Sequence, residues 1–460
     1  MKLFGTDGIR GNSSIFPFDD FTLAVIGKSI AESFDPQRQI LIICDTRRSR
    51  KRIQKELAKG IISAGVTPVF GGIVPTPAAS LLVQSGKYSA AIVISASHNP
   101  YIDNGIKIFD SKGLKLSDSI EMRIEKKIKK NLSLKAIITD NNVLIKKDSA
   151  VLKFYENFII KKFAGYNLKG KTVVIDCANG ASYKSAPYIL RKIGAKVIAL
   201  NANPDGKNIN LNCGALHPEY ASKIVKEHKA FCGFAFDGDA DRLICIDENG
   251  TIRDGDYFLA AMAIWLKSKN KLKNDVLITT VMANVGLLKA MKRENIRVVS
   301  TKVGDRYVIE NITKYKSSFG GEQSGHFIFS DILTTGDGIL SAVMLLSALC
   351  DTNKTMSEFM NVMDKLPQVL INKKVVEKIP IEKLSKSQKM IKNYEKSLNG
   401  YGRVLVRYSG TENLLRIMIE GRDIKKISVI AKNIANTIEE EIESIKRCFA
   451  VKNFISPLSE

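Results

Sequence analysis

Several things are scarce in this sequence. Among 460 residues there are four histidines and one tryptophan. The seven cysteines include no C-x-x-C pair, and Cys44, Cys177 and Cys245 lie inside apolar strand-like runs (LIICD, VIDCAN, RLICID). The lack of a His/Cys cluster argues against a zinc site. An odd number of cysteines in apolar settings reads as buried, reduced thiols and not as a disulfide framework. The longest apolar stretches, such as GILSAVMLLSALC at 338–350, fall short of the roughly 20 residues a bilayer span needs. The opening MKLFGTDGIRG carries no apolar segment of the secretory-signal kind. These absences give the expectation of a cytoplasmic chain with no membrane partner.

Positive charge, by contrast, is abundant: the net charge is +23. A basic balance serves nucleic-acid binding, anionic membranes or the capture of small anionic substrates. Lysines run along the whole chain, with short clusters at RRSRKR (47–52) and KKIKK (126–130). No aromatic residues interleave with these clusters, as they would on a platform for stacked bases. The expectation is a solvated, lysine-rich surface and no nucleic-acid partner. A basic nucleic-acid binder is kept as the alternative of a different class.

The length exceeds what one hydrophobic core serves, and points to about three domains. Three segments share a rhythm of apolar run, polar loop, helical stretch and second apolar run: 39–74, 171–200 and 275–303. Each reads as a βαβ unit of a largely parallel sheet. After Pro367 a lysine-rich stretch leads to YGRVLVRYSGTENLLRIMIEGRD, two strand-like runs about a polar turn, and a helix from about Asp423. The expected fold class is α/β: three successive α/β domains with mixed, largely parallel sheets (1–150, 151–250, 251–366), then a smaller α+β domain (367–460). The final CFAVKNFISPLSE has no assignment.

Four internal stretches carry candidate chemistry. In VISASHNPYIDNGIKIF (93–109) a β-branched run stops at Ser95, Ser97 and His98, and a polar loop with Gly105 and Lys107 follows. In FCGFAFDGDADRLICID (231–247), Asp237, Asp239 and Asp241 alternate with small residues between two apolar runs. Such carboxylates repel, and a hard divalent cation with oxygen ligands compensates them best. Gly238 and Ala240 leave room for the loop to curl, and Arg242 could hold a phosphate beside the metal. An EF-hand would need Glu248 to close a loop, but the intervening LICI reads as a strand. GGEQSGHFIF (320–329) offers Glu322 and Ser324 for sugar hydroxyls and His326 for proton transfer. RYSGTEN (407–413) sets an arginine and hydroxyls at a turn suited to a phosphate dianion. At the start, FGTDGIRG (4–11) ends in Arg10, and Phe4 and Ile9 suggest that it is tied down.

These motifs in this order resemble the α-D-phosphohexomutase superfamily over nearly the whole chain, most closely its bacterial phosphoglucosamine mutase branch. SASHNP with DGDADR far downstream is specific as a pair, and FGTDGIRG with GGEQSGH favours the glucosamine branch. The resemblance implies four domains around a central cleft and an enzyme that interconverts glucosamine 6-phosphate and glucosamine 1-phosphate. It implies a phosphoserine at Ser97, one Mg²⁺ per chain on Asp237, Asp239, Asp241 and a phosphate oxygen on Ser97, and glucosamine 1,6-bisphosphate as intermediate and activator. Proton-transfer or charge-stabilising roles fall on Lys107, His326 and Arg10. Substrate contacts fall on His98, Arg242, Gly304, Asp305, Glu322 and Ser324, with the distal phosphate on Arg407, Ser409, Gly410 and Thr411. Tyr408 and Asn413 stand where many relatives have prolines, so a looser phosphate loop is expected. The partner is then a small hexosamine phosphate, and a homodimer is left open. A phosphomannomutase or phosphoglucomutase is the nearest rival, and a magnesium-dependent phosphatase with an aspartyl nucleophile in DGDADR is a further one.

Overall fold

The computed structural model describes residues 3–5, 7–134, 146–375, 377–398, 400–408 and 414–454, the last eight as backbone only. The chain divides into two compact units, residues 1–283 with 290–363 and residues 284–289 with 364–460.

Among the described residues the first unit contains three sheets. The first runs in the order Phe4–Gly5, Gly8–Asn12, Asp103–Asp110, Tyr88–Ile94, Gln39–Cys44, Pro68–Ile73, Lys146–Lys147. Its centre is the apolar pair QILIIC and YSAAIVI, parallel and buried, as expected of strands covered on both faces. The second sheet is ordered Ile252–Arg253, Leu243–Ile246, Cys232–Phe236, Thr172–Asp176, Lys196–Leu200, and the third Arg297–Thr301, Val276–Thr280, Phe319–Gly321, Phe327–Phe329. All three strand–helix–strand segments expected from the sequence are present, and the strands of each pair lie parallel. Helix packing on the first sheet is close. A Cβ at Gly27 would lie 2.1 Å from Leu57 O, and one at Gly60 1.8 Å from Ala24 O, so glycine lets helices Asp20–Ala31 and Arg50–Ser63 touch backbone to backbone.

This topology places the chemistry. Parallel strands end at the same edge of a sheet, and in open α/β sheets the loops after their carboxyl ends form the binding crevice. Cys44 pairs with Ile94, so the loops beginning at Asp45 and Ser95 leave the first sheet side by side. The loop from Asp237 follows Cys232–Phe236, and the segments holding Gly304 and Glu322 follow Arg297–Thr301 and Phe319–Gly321.

The second unit is a three-stranded antiparallel sheet, Gln368–Lys374, Leu414–Gly421, Gly402–Tyr408. Ile427, Ile430, Ile434 and Ile438 recur every three or four residues along helix Ile424–Phe454 and join Ile417 and Ile419 of the sheet in one core. That helix extends into the stretch left unassigned from sequence. Among the described residues no helix is long and apolar enough to cross a membrane.

Candidate active site

Strand Tyr88–Ile94 ends at Ser95, and the chain turns through Ser97 with φ 52°, a left-handed conformation uncommon for a residue with a side chain. The two serines diverge. Ser95 Oγ donates to Asp45 Oδ2 at 2.7 Å, whereas Ser97 Oγ donates to Asp237 Oδ2 at 2.5 Å. Ser97 is buried, and its Oγ lies 3.4 Å from His98 Nδ1. Burial, with Arg242 and Arg10 nearby, lowers the His98 imidazole to about 4, so it is neutral at pH 7.

The aspartate loop interrupts two antiparallel strands, Cys232–Phe236 and Leu243–Ile246, so LICI is a strand as read. Asp237, Asp239 and Asp241 are all buried, and one oxygen from each lies within 4.8 Å of the others. Positive φ at Ala240 (62°) supplies the curl. Gly238 supplies contact with the serine loop, because a Cβ there would sit 2.6 Å from Ser97 O. The electrostatic cost is visible. Burial, then repulsion from Asp241 and Asp239, pushes the Asp237 carboxyl well above the usual range. Burial works the same way on Asp241, but Lys107, with His326 and Lys115, outweighs it and holds that carboxyl well below its ordinary value. Among the described residues, Asp239 Oδ1 and Asp241 Oδ1 are buried without a hydrogen-bond partner. Buried acceptors left open in a converging carboxylate set fit a hard divalent cation.

Cations surround the triad. Lys107 Nζ donates to Asp239 Oδ2 at 2.8 Å and to Asp241 Oδ2 at 3.2 Å, and lies 3.2 Å from Asp7 Oδ2. Burial would lower this ammonium's pKa, but Asp239, Asp241 and Asp7 together hold it well above its ordinary value. Asp7 also pairs with Arg10 and, at 2.5 Å, with Lys115, which pairs in turn with Asp305. His326 closes the circuit, with Nε2 3.4 Å from Asp305 Oδ2 and Nδ1 3.7 Å from Asp241 Oδ1. Lys107, Asp7, Lys115, Asp305, His326 and Asp241 therefore form a ring beside the serine in which carboxylates alternate with two ammonium groups and an imidazole. Gly336 N–H donates to His326 Nε2 at 3.2 Å, which puts the ring proton on Nδ1, facing Asp241. Burial disfavours a second proton, but Asp241 and Asp305 favour it more strongly and raise the pKa of this imidazole.

The remaining candidate residues separate, and their roles are carried forward as proposals. Arg242 approaches the triad, its backbone N–H donating to Asp237 Oδ1 at 3.1 Å. Glu322 is buried and accepts from Gly304 N–H at 2.9 Å, and burial raises its carboxyl. Ser324 is exposed. Asp305, expected at substrate, is engaged by Lys115 and His326. In the second unit Arg407 lies directly opposite Arg416 on the neighbouring strand. Facing residues share a side of the sheet, and like charges there repel. Burial, then Arg416, lowers the Arg407 guanidinium's pKa, which suits an anion. Ser409, Gly410 and Thr411 lie outside the described residues.

Several contributors carry little signal in the sequence. Thr76 Oγ1 donates to Asp239 Oδ2 at 2.7 Å, and its only mark is the Thr-Pro before helix Pro77–Val83. Asp7 lies within FGTDGIRG, where the arginine is the more conspicuous residue. Arg416 can be found only by counting outward from the turn of the hairpin. The cluster RRSRKR, expected as solvated surface, is so only in part: Arg48 and Lys51 are exposed, and the other arginines are engaged. Arg47 is fully buried, Arg50 donates to Thr46 O and Arg47 O, and Arg52 donates to Phe18 O and pairs with Asp20, because this segment starts a helix packed into the first sheet.

Comparison with known proteins gives the following. Family models described as phosphoglucomutase/phosphomannomutase match the chain in four parts: alpha/beta/alpha domain I at residues 1–135, domain II at 153–250, domain III at 254–366 and the C-terminal domain at 370–437. A phosphoglucosamine mutase from Geotalea uraniireducens is 45% identical over 447 residues, 96% of this chain and 98% of that one. A phosphoglucomutase/phosphomannomutase family protein from Burkholderia thailandensis superposes with a TM-score of 0.78 at 22% identity, covering 95% of this chain and 97% of that one. An Aspergillus fumigatus N-acetylphosphoglucosamine mutase, solved with GlcNAc-6P and magnesium, superposes with a TM-score of 0.64 at 17% identity, covering 96% of each chain. The two structural likenesses speak to fold.

Proposed function

Because the chain belongs to the phosphoglucomutase/phosphomannomutase family, we propose that it is an isomerase that carries a phosphoryl group between the 6- and 1-positions of glucosamine phosphate, using Ser97 as the carrier. The observation that carries this reading is the contact of Ser97 Oγ with Asp237 in a buried triad of carboxylates. A serine hydroxyl is a weak nucleophile unless activated. A serine that already holds a phosphoryl group needs no activation, because it acts as a donor. Asp237, Asp239 and Asp241 would hold Mg²⁺, which when bound neutralises charge on the phosphoryl oxygens. Lys107 adds a fixed positive charge beside that site. Arg10 and His326 are proposed to hold charge or a proton as the sugar hydroxyl reacts. Arg407 and Arg416 are given the substrate phosphate that is not reacting.

In the cycle we propose, phosphorylated Ser97 gives its group to the 1-hydroxyl of glucosamine 6-phosphate, the 1,6-bisphosphate turns end for end, and Ser97 takes back the 6-phosphoryl group. Glu322 and Ser324 are proposed to read the 3- and 4-hydroxyls, which nearly exchange places in that turn. Preference for an amino group at the 2-position rests on the relatives' name, since none of these contacts reaches it. The place of work is taken as the cytoplasm, and the ligand as a small anion and not nucleic acid.

The test is kcat/KM for glucosamine, glucose and mannose 6-phosphates on protein whose phosphorylation state is known from intact mass. Preference for glucosamine phosphate, with the phosphoryl group mapped to Ser97, supports the reading. Preference for mannose or glucose phosphate moves the chain to a sister activity. A phosphoryl group on Asp237 makes it a phosphatase.

A further inference from the structure

We infer that Arg47, together with Asp45, is a positioning residue for phosphoryl transfer: it locks the backbone of Ser97 so that the hydroxyl stays on the aspartate loop. The two residues start the loop after strand Gln39–Cys44, beside the loop that holds Ser97. Arg47 has no exposed surface, and its whole guanidinium is spent on this neighbourhood. Nε donates to Asp45 Oδ2 at 2.9 Å. Nη2 donates to Ser97 O at 3.0 Å and Asn99 O at 2.7 Å, and Nη1 to Asp103 O at 3.1 Å and to Pro100 O.

The bonds close a circle around one residue. Ser97 N–H donates to Ser95 Oγ at 2.9 Å, and Ser95 Oγ donates to Asp45 Oδ2 at 2.7 Å. The same Asp45 oxygen accepts from Arg47, whose other arm returns to Ser97 O. Both backbone polar groups of Ser97 are therefore tied to one buried ion pair, which accounts for a left-handed φ of 52° at a residue with a side chain. Asn210 Nδ2 donates to the same two carbonyls, Ser97 O at 2.8 Å and Asn99 O at 3.1 Å, from the side of the aspartate loop. Only a planar fork with five donors can serve four carbonyls and a carboxylate at once, and an ammonium cannot. Holding reacting atoms in line is worth much of a transfer rate, and about 1 Å of misplacement costs about 10²-fold.

The catalytic half of this inference rests on the function proposed above, so the experiment separates the two. Arg47→Lys, and the charge-balanced pair Asp45→Asn with Arg47→Met, are compared with wild type in four measurements: thermal unfolding, Mn²⁺ binding, amide hydrogen exchange of the 95–104 segment, and kcat and KM for glucosamine 6-phosphate. A positioning role gives folded variants that bind Mn²⁺ as wild type does, with faster exchange confined to 95–104, kcat lower by about 10²-fold and KM within about threefold. A folded variant with wild-type exchange, or with faster exchange and undiminished kcat, overturns it. So does failure of both variants to fold, which would assign the pair to the fold alone. If wild type itself turns over no sugar phosphate, the proposed function fails, and confinement of the faster exchange to 95–104 alone decides whether Arg47 locks Ser97.

Discussion

Ser97 Oγ and Asp237 Oδ2 stand 2.5 Å apart across 140 residues of sequence. The pairing joins the ends of two strands from different sheets, and it leaves one hydroxyl facing a set of acids. Ser97→Ala removes that hydroxyl and no charge, so the fold is expected to survive, with Tm within a few degrees of wild type. Turnover should fall by about 10³-fold or more, since the carrier is gone. Intact mass should show no phosphoryl group on the variant after exposure to a hexose bisphosphate. Near-normal turnover would remove the covalent relay.

The repulsion that raises the Asp237 carboxyl predicts the behaviour of the metal-free protein. Asp237→Asn relieves the crowding, so the variant without metal should be more stable than wild type, by roughly 1 kcal/mol. It should also lose the rise in Tm that Mg²⁺ confers on wild type. That rise reaches about 2.7 kcal/mol of stabilisation when the cation is at 100 times its Kd. Scanning calorimetry of both proteins with and without EDTA checks both signs. Equal Mg²⁺ stabilisation of the two would place the cation elsewhere. EDTA should stop wild-type turnover, and added Mg²⁺ should restore it.

Lys115 bridges Asp7 and Asp305, two acids from distant segments. Burial disfavours its charge, but Asp305 and Asp7 push its pKa up to about 12. Lys115→Met would leave both carboxylates facing each other in a largely buried place, at a cost of about 3 kcal/mol. Adding Asp305→Asn should return part of that loss, because one of the stranded charges goes with it. Denaturant unfolding of the two single variants and the double variant measures the coupling. Simple additivity would mean that the pair does not hold the ring together.

The parts that are legible in the sequence are those that local pattern decides. An apolar run such as QILIIC, followed by a helix of mixed polarity and a second apolar run, can hardly fold as anything but a strand–helix–strand unit, and all three such segments do. The aspartates are legible because three close carboxylates between strands need an outside charge. What escapes depends on tertiary pairing. Arg47 belongs to a charge run that looks like solvated surface, and only the register of Cys44 with Ile94 brings it under the serine loop. Arg416 is invisible until the hairpin sets it opposite Arg407. The ring through Asp7, Lys115 and Asp305 joins three segments with no common motif.

A further pH signature is expected beside the aspartate loop, at Asp337, whose neighbour Gly338 donates its N–H to Ala240 O at 3.0 Å. It caps helix Gly338–Thr352, accepting from Leu340 N–H at 2.9 Å, and both its oxygens lie 2.9 Å from the Tyr155 hydroxyl. Burial pushes the carboxyl up to about 7, although these donors favour the ionised form. In the unfolded chain the group titrates near 3.9. Between these values the folded state binds more protons than the unfolded one, so stability falls as pH rises. The contribution is complete below about pH 4 and is lost as pH passes 7, on the order of a few kcal/mol. Asp337→Asn keeps an oxygen for the cap and cannot ionise. Its Tm relative to wild type should therefore climb from pH 5 to pH 8 and level off above. Tyr155→Phe removes a donor to the ionised form, so it should raise this carboxyl further and extend the fall in stability to higher pH. A difference between Asp337→Asn and wild type that stays flat across this range would mean that the carboxylate is charged throughout, held by Tyr155 and the helix N-terminus against its burial.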